Sequence, residues 1–438
     1  MTTPATATLA HGPRLRLALE PVALALLLAA VTSQWGRLED WRAGLGSFQM
    51  LAAVAFVAYL LAVGRRAQWR LLPRGGAFVV LVAFTLRMGV LPVTPTLSDD
   101  VYRYAWEGRV LAAGENPWAL PPDSPALAAL RDDEVHPRIN HPHLAAIYPP
   151  FTIAGFALVA QASYTLLAFK GWVLLHDLAL CILLAVWCAA RGRSAWDSLV
   201  YAWNPLVVAE YAGSGHFDPT ALFWFAAALF WAETRPRRSA TSGLAAVMGK
   251  LVALPAWPFL VRHWPTRVRW GASALLAVGL AGYLALTWGP HSGFAAFAST
   301  WRHNEALFGP LAALTGDRTA RIVVAFALLA LLVVLLKRGV PTLDGVRTMM
   351  RTGLLLGPVV HPWYLGWVLV LEPHRPSWPW LLLSGTVLLS YGVGAPPAEG
   401  GAWHPGPIVR LVEYGVPVLL AIVLHLLRLR ERRVRTPH

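Results

Sequence analysis

Residues 64–100 read GRRAQWRLLPRGGAFVVLVAFTLRMGVLPVTPTLSDD, and the fold follows from this stretch. Arg65, Arg66, Arg70 and Arg74 crowd one short loop, an apolar run from Gly76 to Val93 follows it, and Asp99 and Asp100 close it. Wound as a helix, a run of that length covers most of the ~30 Å of hydrocarbon in a bilayer. Arginines gathered at one end of a span mark the cytoplasmic side. The arginine loop is therefore expected inside, and the Asp pair just outside.

The rest of the chain agrees with a lipid solvent. Of its 438 residues 56% are hydrophobic and only 14% charged, where a soluble domain carries roughly a quarter charged residues. The mean hydropathy is +0.51. The net charge of +14 comes from arginines in short loops between apolar runs, which reads as topology and not as a nucleic-acid surface. Cys181 and Cys188 fall on one expected helix about 10 Å apart, too far for a disulfide, so no redox or metal framework is indicated. Arg14 and Arg16 before the apolar run Leu17 to Val31 resemble a signal peptide. We expect an uncleaved first helix, because further spans follow and no convincing A-x-A cleavage site appears.

The polar segment from Thr94 to Tyr148 is then external. Phe151 to Leu167 is expected to be juxtamembrane or re-entrant, because the next run, Gly171 to Ala190, ends at the basic Arg191 and Arg193. Two more spans bracket the turn Gly213 to Asp218, and Ala240 to Val261 reads as an element broken at Lys250. The helix beginning near Thr352 is expected to break at His361-Pro362, because proline interrupts the hydrogen-bond ladder.

Ionisable groups inside a bilayer are costly and so mark function. Arg87, His176, Asp177, Glu210, His216, Asp218 and His361 all fall at the outer level of their spans, facing the loop with the Asp pair. Asp99 is expected to cap the helix that begins there. One carboxylate of the pair suits a general base on a hydroxyl attacking a sugar.

Several motifs carry a resemblance. Ser98 to Arg109 (SDDVYRYAWEGR), Ala113 to Trp118 (AGENPW), His136 to Pro142 (HPRINHP) and Ile147 to Pro150 (IYPP) resemble the first external loop of bacterial GT-C glycosyltransferases. Ala212 to His216 (AGSGH) with Asp218, Gly249-Lys250-Leu251, and His361-Pro362-Trp363-Tyr364 match other hallmarks. The likeness is nearest to the polyprenyl-phosphomannose-dependent mannosyltransferases.

That resemblance implies an all-α, polytopic transmembrane bundle of GT-C type, with a large first external loop and about 11 to 13 helices. N-terminal transmembrane helices would occupy 1–93, the external catalytic loop with juxtamembrane helices 94–170, and the remaining bundle 171–438. In the family the first loop usually follows the first helix, whereas two extra spans precede it here.

The activity implied is transfer of a hexose, mannose by the nearest likeness, from a polyprenyl-phosphate donor to a lipid or glycan acceptor. It would take place on the extracytoplasmic face of the cell membrane, without cofactor, metal or nucleic acid. Asp100, which shares a D-x-x-R-Y pattern with related aminoarabinose and lipid-modifying transferases, would be the base. Asp99 would support it, and Arg103 would hold the carboxylate ionised. Arg87, Lys250 and His361 would meet the donor phosphate. Tyr104, His141, Tyr148, His216, Asp218, Trp363 and Tyr364 would complete the donor and acceptor sites. The competing reading is a transporter or flippase for an amphiphilic anion or lipid-linked sugar, for which broken helices are the usual binding element.

Overall fold

A computed structural model describes residues 11–392 and 406–435. Among them the chain is all-helical and has no strand; an isolated bridge joins His303 to Val359. Six helices are long and apolar enough to cross a membrane, with spans Arg16–Trp35, Leu45–Arg65, Leu166–Ala190, Thr266–Leu286, Asp317–Lys337 and Pro407–Glu431. Only 11% of the apolar window is buried within the protein in each of the last two. Phe326, Leu329, Leu411 and Leu419 on these two, and Leu275 and Val278 on Thr266–Leu286, face outward, an arrangement compatible with lipid and costly in water.

Among the described residues these six are the helices of full spanning length, and other apolar helices are shorter or broken. The expected span Gly76 to Val93 is helical only over Gly75–Met88. Pro150–Ala162 is likewise short, in keeping with a segment that does not cross. The helix Asp218–Trp231 and the helix Pro236–Gly249 pack against each other, with the Ser239 hydroxyl donating to the Ala228 carbonyl. The second ends where Lys250 turns extended, and a 3-10 segment with Pro255 follows. Thr342–Leu356 ends before His361, which is extended ahead of Pro362. The expected break at Lys250 is present, whereas the helix expected from near Thr352 to His361 instead starts at Thr342 and stops at Leu356, ahead of Gly357-Pro358.

The helix Leu166–Ala190 begins earlier than the expected Gly171 and takes in Lys170, because Thr165 caps it by accepting from the Ala168 amide. Cys181 and Cys188 lie on it, both buried and free. The segment from Thr94 to Tyr148 is folded, not extended. It holds the helix Asp100–Ala112 and two 3-10 turns, Pro125–Leu130 and His136–Arg138. The helix Asp100–Ala112 lies on Pro150–Ala162, with Gly108 against the Phe156 carbonyl. Tyr104, Tyr148, Phe156 and Phe217 pack ring on ring at that junction, which fixes the start of the helix against the bundle.

Candidate functional site

Asp100 opens its helix, and Ser98 rather than Asp99 supplies the cap. The Ser98 hydroxyl accepts from the Asp100 amide at 3.3 Å. Asp99 sits at the cap position but its side chain accepts no capping bond, and it is exposed. The Asp100 carboxylate points the other way. Oδ1 accepts from Asn140 Nδ2 at 3.0 Å and Oδ2 from the Tyr104 hydroxyl at 3.3 Å. Tyr104 lies one turn along the same helix, which puts the two side chains on one face. Asp100 is set deep among protein atoms yet keeps 24% of its side-chain surface open, so it is still reached by solvent. Burial holds its pKa above the usual carboxylate value, against the opposing Asn140 bond, the Lys250 charge, the Tyr104 bond and the Arg103 charge.

Arg103 does not bond the Asp100 carboxylate as expected. Its fork is used on Glu107 at 2.8 Å, on the carbonyls of Asn140 and His141 at 3.0 Å each, and on the Leu144 carbonyl. It therefore fastens to the helix the loop that delivers Asn140. Burial raises the Glu107 pKa to about 7 even with Arg103 beside it.

The turn after the π-helical segment Val208–Gly213 completes the cluster. Gly215 has φ +78, and a Cβ there would stand 3.0 Å from the Lys170 side chain, so the tight reversal needs glycine. The reversal aims His216 inward, with its amide on the Glu210 carbonyl at 3.0 Å. His216 Nδ1 lies 3.7 Å from Asp100 Oδ2, and Nε2 lies 3.4 Å from Glu210 Oε2. The Tyr391 hydroxyl reaches both Glu210 oxygens, at 3.0 and 3.1 Å. A column of stacked rings runs from His216 through Trp363 and His361 to His303, with centroid separations of 3.5, 4.2 and 4.2 Å.

Lys250, at the helix break, bonds Asp218 at 2.7 Å and lies over the rings of Phe217 and Tyr364. Trp367 also donates to Asp218, at 2.7 Å. Asp100, Tyr104, His216, Asp218, Lys250, His361, Trp363 and Tyr364 are thus gathered in one contiguous neighbourhood. No family model, no curated protein and no solved structure matches the chain.

Other residues singled out by the sequence lie elsewhere. Arg87 is fully buried in an ion pair with the equally buried Asp177, and also donates to the carbonyls of Ala83 and Ala202. Tyr201 donates to the same Asp177 at 2.8 Å. Arg87 thus belongs to a buried pair inside the bundle and not to the Asp100 neighbourhood. His176 bonds the Trp172 carbonyl of its own helix. His141 is exposed, its ring against Trp301, and Tyr148 serves the aromatic junction. His136 points to the Pro122 carbonyl, and among the described residues no group of three or more His, Cys, Asp or Glu is placed to hold a metal.

Asn140, Tyr391, Trp367 and His303 belong to the neighbourhood without having been singled out. Asn140 lies inside the HPRINHP motif, which was its available signal. Tyr391 had none, because an aromatic in an apolar run reads as core.

Proposed function

We propose that the chain is a membrane glycosyltransferase of GT-C type that moves a hexose from a polyprenyl-phosphate donor to a lipid or glycan hydroxyl. Asp100 is the general base. What carries this reading is the Asp100 carboxylate: oriented by two donors, raised in pKa by burial, and still partly exposed. A raised carboxylate is the stronger base near neutral pH.

In the step we propose, Asp100 takes the acceptor's hydroxyl proton as that oxygen attacks the anomeric carbon. The bond from that carbon to the phosphate oxygen breaks, and polyprenyl phosphate leaves with the electron pair. Lys250 and the imidazole of His361 stand where developing negative charge is stabilised. The Asp218 partner lowers the net charge of the Lys250 site, which suits a singly linked phosphate better than a pyrophosphate.

The arginines support an extracytoplasmic site in the cell membrane. Arg66 and Arg193 meet at Asp197, beyond the end of the helix Leu166–Ala190. Lys170, near the other end of that helix, touches the Val93 carbonyl just ahead of the Asp pair. The site and the basic loops are thus separated by about one bilayer thickness. The remaining helices that would bring the bundle to eleven to thirteen are the short and broken ones.

The test is transfer of radiolabelled mannose from polyprenyl-phosphate mannose by the purified chain in liposomes containing membrane glycolipid. Product carrying the label supports the reading. Movement of labelled donor across the bilayer with no transfer would establish the flippase reading, which the breaks at Lys250 and His361 favour.

A further inference from the structure

A cavity of about 310 Å³ opens at the end of the bundle away from Asp100, where Arg191 follows the helix Leu166–Ala190. That helix is about 37 Å long, and its basic end is the one expected at the cytoplasmic surface. Trp187 and Leu229 form an apolar wall, and Arg262, His263 and the loop from Gly339 to Leu343 close the cavity from the other elements.

Two basic side chains hold that loop. Arg262 Nη2 donates to the Val340 carbonyl at 2.8 Å and to the Thr342 hydroxyl at 3.3 Å, and His263 Nε2 meets the same hydroxyl at 2.7 Å. This uses only part of the Arg262 fork. Its Nε is buried without a partner, and a buried donor left so marks a place where an acceptor is wanted.

The Arg191 guanidinium is exposed and has no hydrogen-bond or ion-pair partner among the described residues. Glu233, also exposed and unpaired, is the one carboxylate lining the cavity. Behind the wall the buried His374 lies 4.1 Å, ring to ring, from Trp187, with neither nitrogen bonded. Arg193 and Arg347, the other cations acting on His374, are committed to Asp197 and Asp344. The cavity therefore faces two guanidiniums with donors to spare and one opposing carboxylate.

We propose that this cavity binds the phosphate of an anionic phospholipid in the cytoplasmic leaflet, an inference that does not depend on the transferase reading. Basic pockets between membrane helices on that side recognise acidic headgroups. Ligand cavities run to about 300–1,000 Å³, so this one holds a headgroup and leaves the acyl chains outside. The helix Asp317–Lys337 runs into the lining loop and exposes Val333 and Val334 within two turns of Gly339, which gives those chains an apolar surface. A free phosphate compound would use the guanidiniums and leave that surface bare. Arg191 and Arg262 donate to the phosphate oxygens, and Glu233 opposes them.

The whole chain in detergent is titrated with phosphatidylglycerol or phosphatidylcholine, and bound lipid is counted by native mass spectrometry. One phosphatidylglycerol should be retained in preference to phosphatidylcholine. Arg191→Met breaks no bond within the protein and should weaken that lipid about tenfold, as the loss of one charge-assisted hydrogen bond does. Glu233→Gln should tighten it. Arg428→Met combined with Arg430→Met removes charge from the exposed end of the C-terminal helix and should leave the affinity unchanged.

Equal retention of the two lipids, or parent-like binding by Arg191→Met, overturns the proposal. So does an equal loss in the Arg428/Arg430 variant, which would mean charge attraction without a site, and so does weaker binding by Glu233→Gln. Inorganic phosphate at the concentration of the lipid should not displace it. Displacement overturns the lipid and assigns the cavity to a free phosphate compound.

Discussion

Asn140 donates a hydrogen bond of 3.0 Å to Asp100 Oδ1 from forty residues along the chain, and the fork of Arg103 holds it there. The bond favours the ionised carboxylate, while burial favours the protonated one and prevails. Asn140→Ala therefore raises the Asp100 pKa further. The base acts when ionised, so the limb on which turnover climbs with pH should move to higher pH. A pH–rate profile on the purified variant checks this, and a limb that stays or moves down would rule out Asp100 as the titrating base. In the folding balance a raised carboxylate stabilises below its unfolded value of about 3.9, and that contribution fades as pH rises through the folded value.

Gly108 allows the helix Asp100–Ala112 to touch Pro150–Ala162. A Cβ at position 108 would stand 2.5 Å from the Phe156 carbonyl oxygen, a backbone atom that cannot swing aside. Gly108→Ala should cost about 1–3 kcal/mol through overpacking. Thermal unfolding in detergent should show a lower midpoint. An unchanged midpoint would mean that the two helices are not in close contact.

How much of this was legible in the sequence depended on range. The arginine loop, the Asp pair and the break at Lys250 are local signals, and each could be read along the chain, whereas the helix expected to reach His361 stops at Leu356. Helix lengths were not, because where a short apolar run stops depends on its neighbours; Gly75–Met88 ends five residues before the expected Val93. Partner choice was least legible. Arg103 lies one turn from Asp100, yet it bonds Glu107, one turn farther, and three loop carbonyls. Arg87 and Asp177, both placed at the level of the site, meet each other across 90 residues of sequence.

That ion pair makes a prediction of its own. Both side chains are fully buried, so removing one leaves an uncompensated charge. Arg87→Met or Asp177→Leu alone should destabilise by about 3–5 kcal/mol, while the double variant should recover most of that loss. Donor binding by the double variant should match the parent. Weakened binding in a well-folded double variant would return Arg87 to the donor site.

The sharpest test separates two adjacent carboxylates. On a helix, neighbouring side chains point about 100° apart, so Asp99 and Asp100 cannot both face one hydroxyl. Asp100 faces Asn140 and Tyr104 as donors, whereas Asp99 is exposed and caps nothing, since Ser98 does that. Asp100→Asn keeps the size and removes the basicity, so turnover should fall roughly 100-fold or more with donor binding retained. Asp99→Asn removes neither a cap nor the base, and turnover should stay within about twofold, since surface changes away from such features alter stability by about 0.5 kcal/mol or less. Turnover and donor affinity measured on both purified variants decide the matter. Loss with Asp99→Asn and retention with Asp100→Asn would reverse the two roles. Activity in both would move the search to Glu210 and Asp218, the remaining buried carboxylates of the neighbourhood.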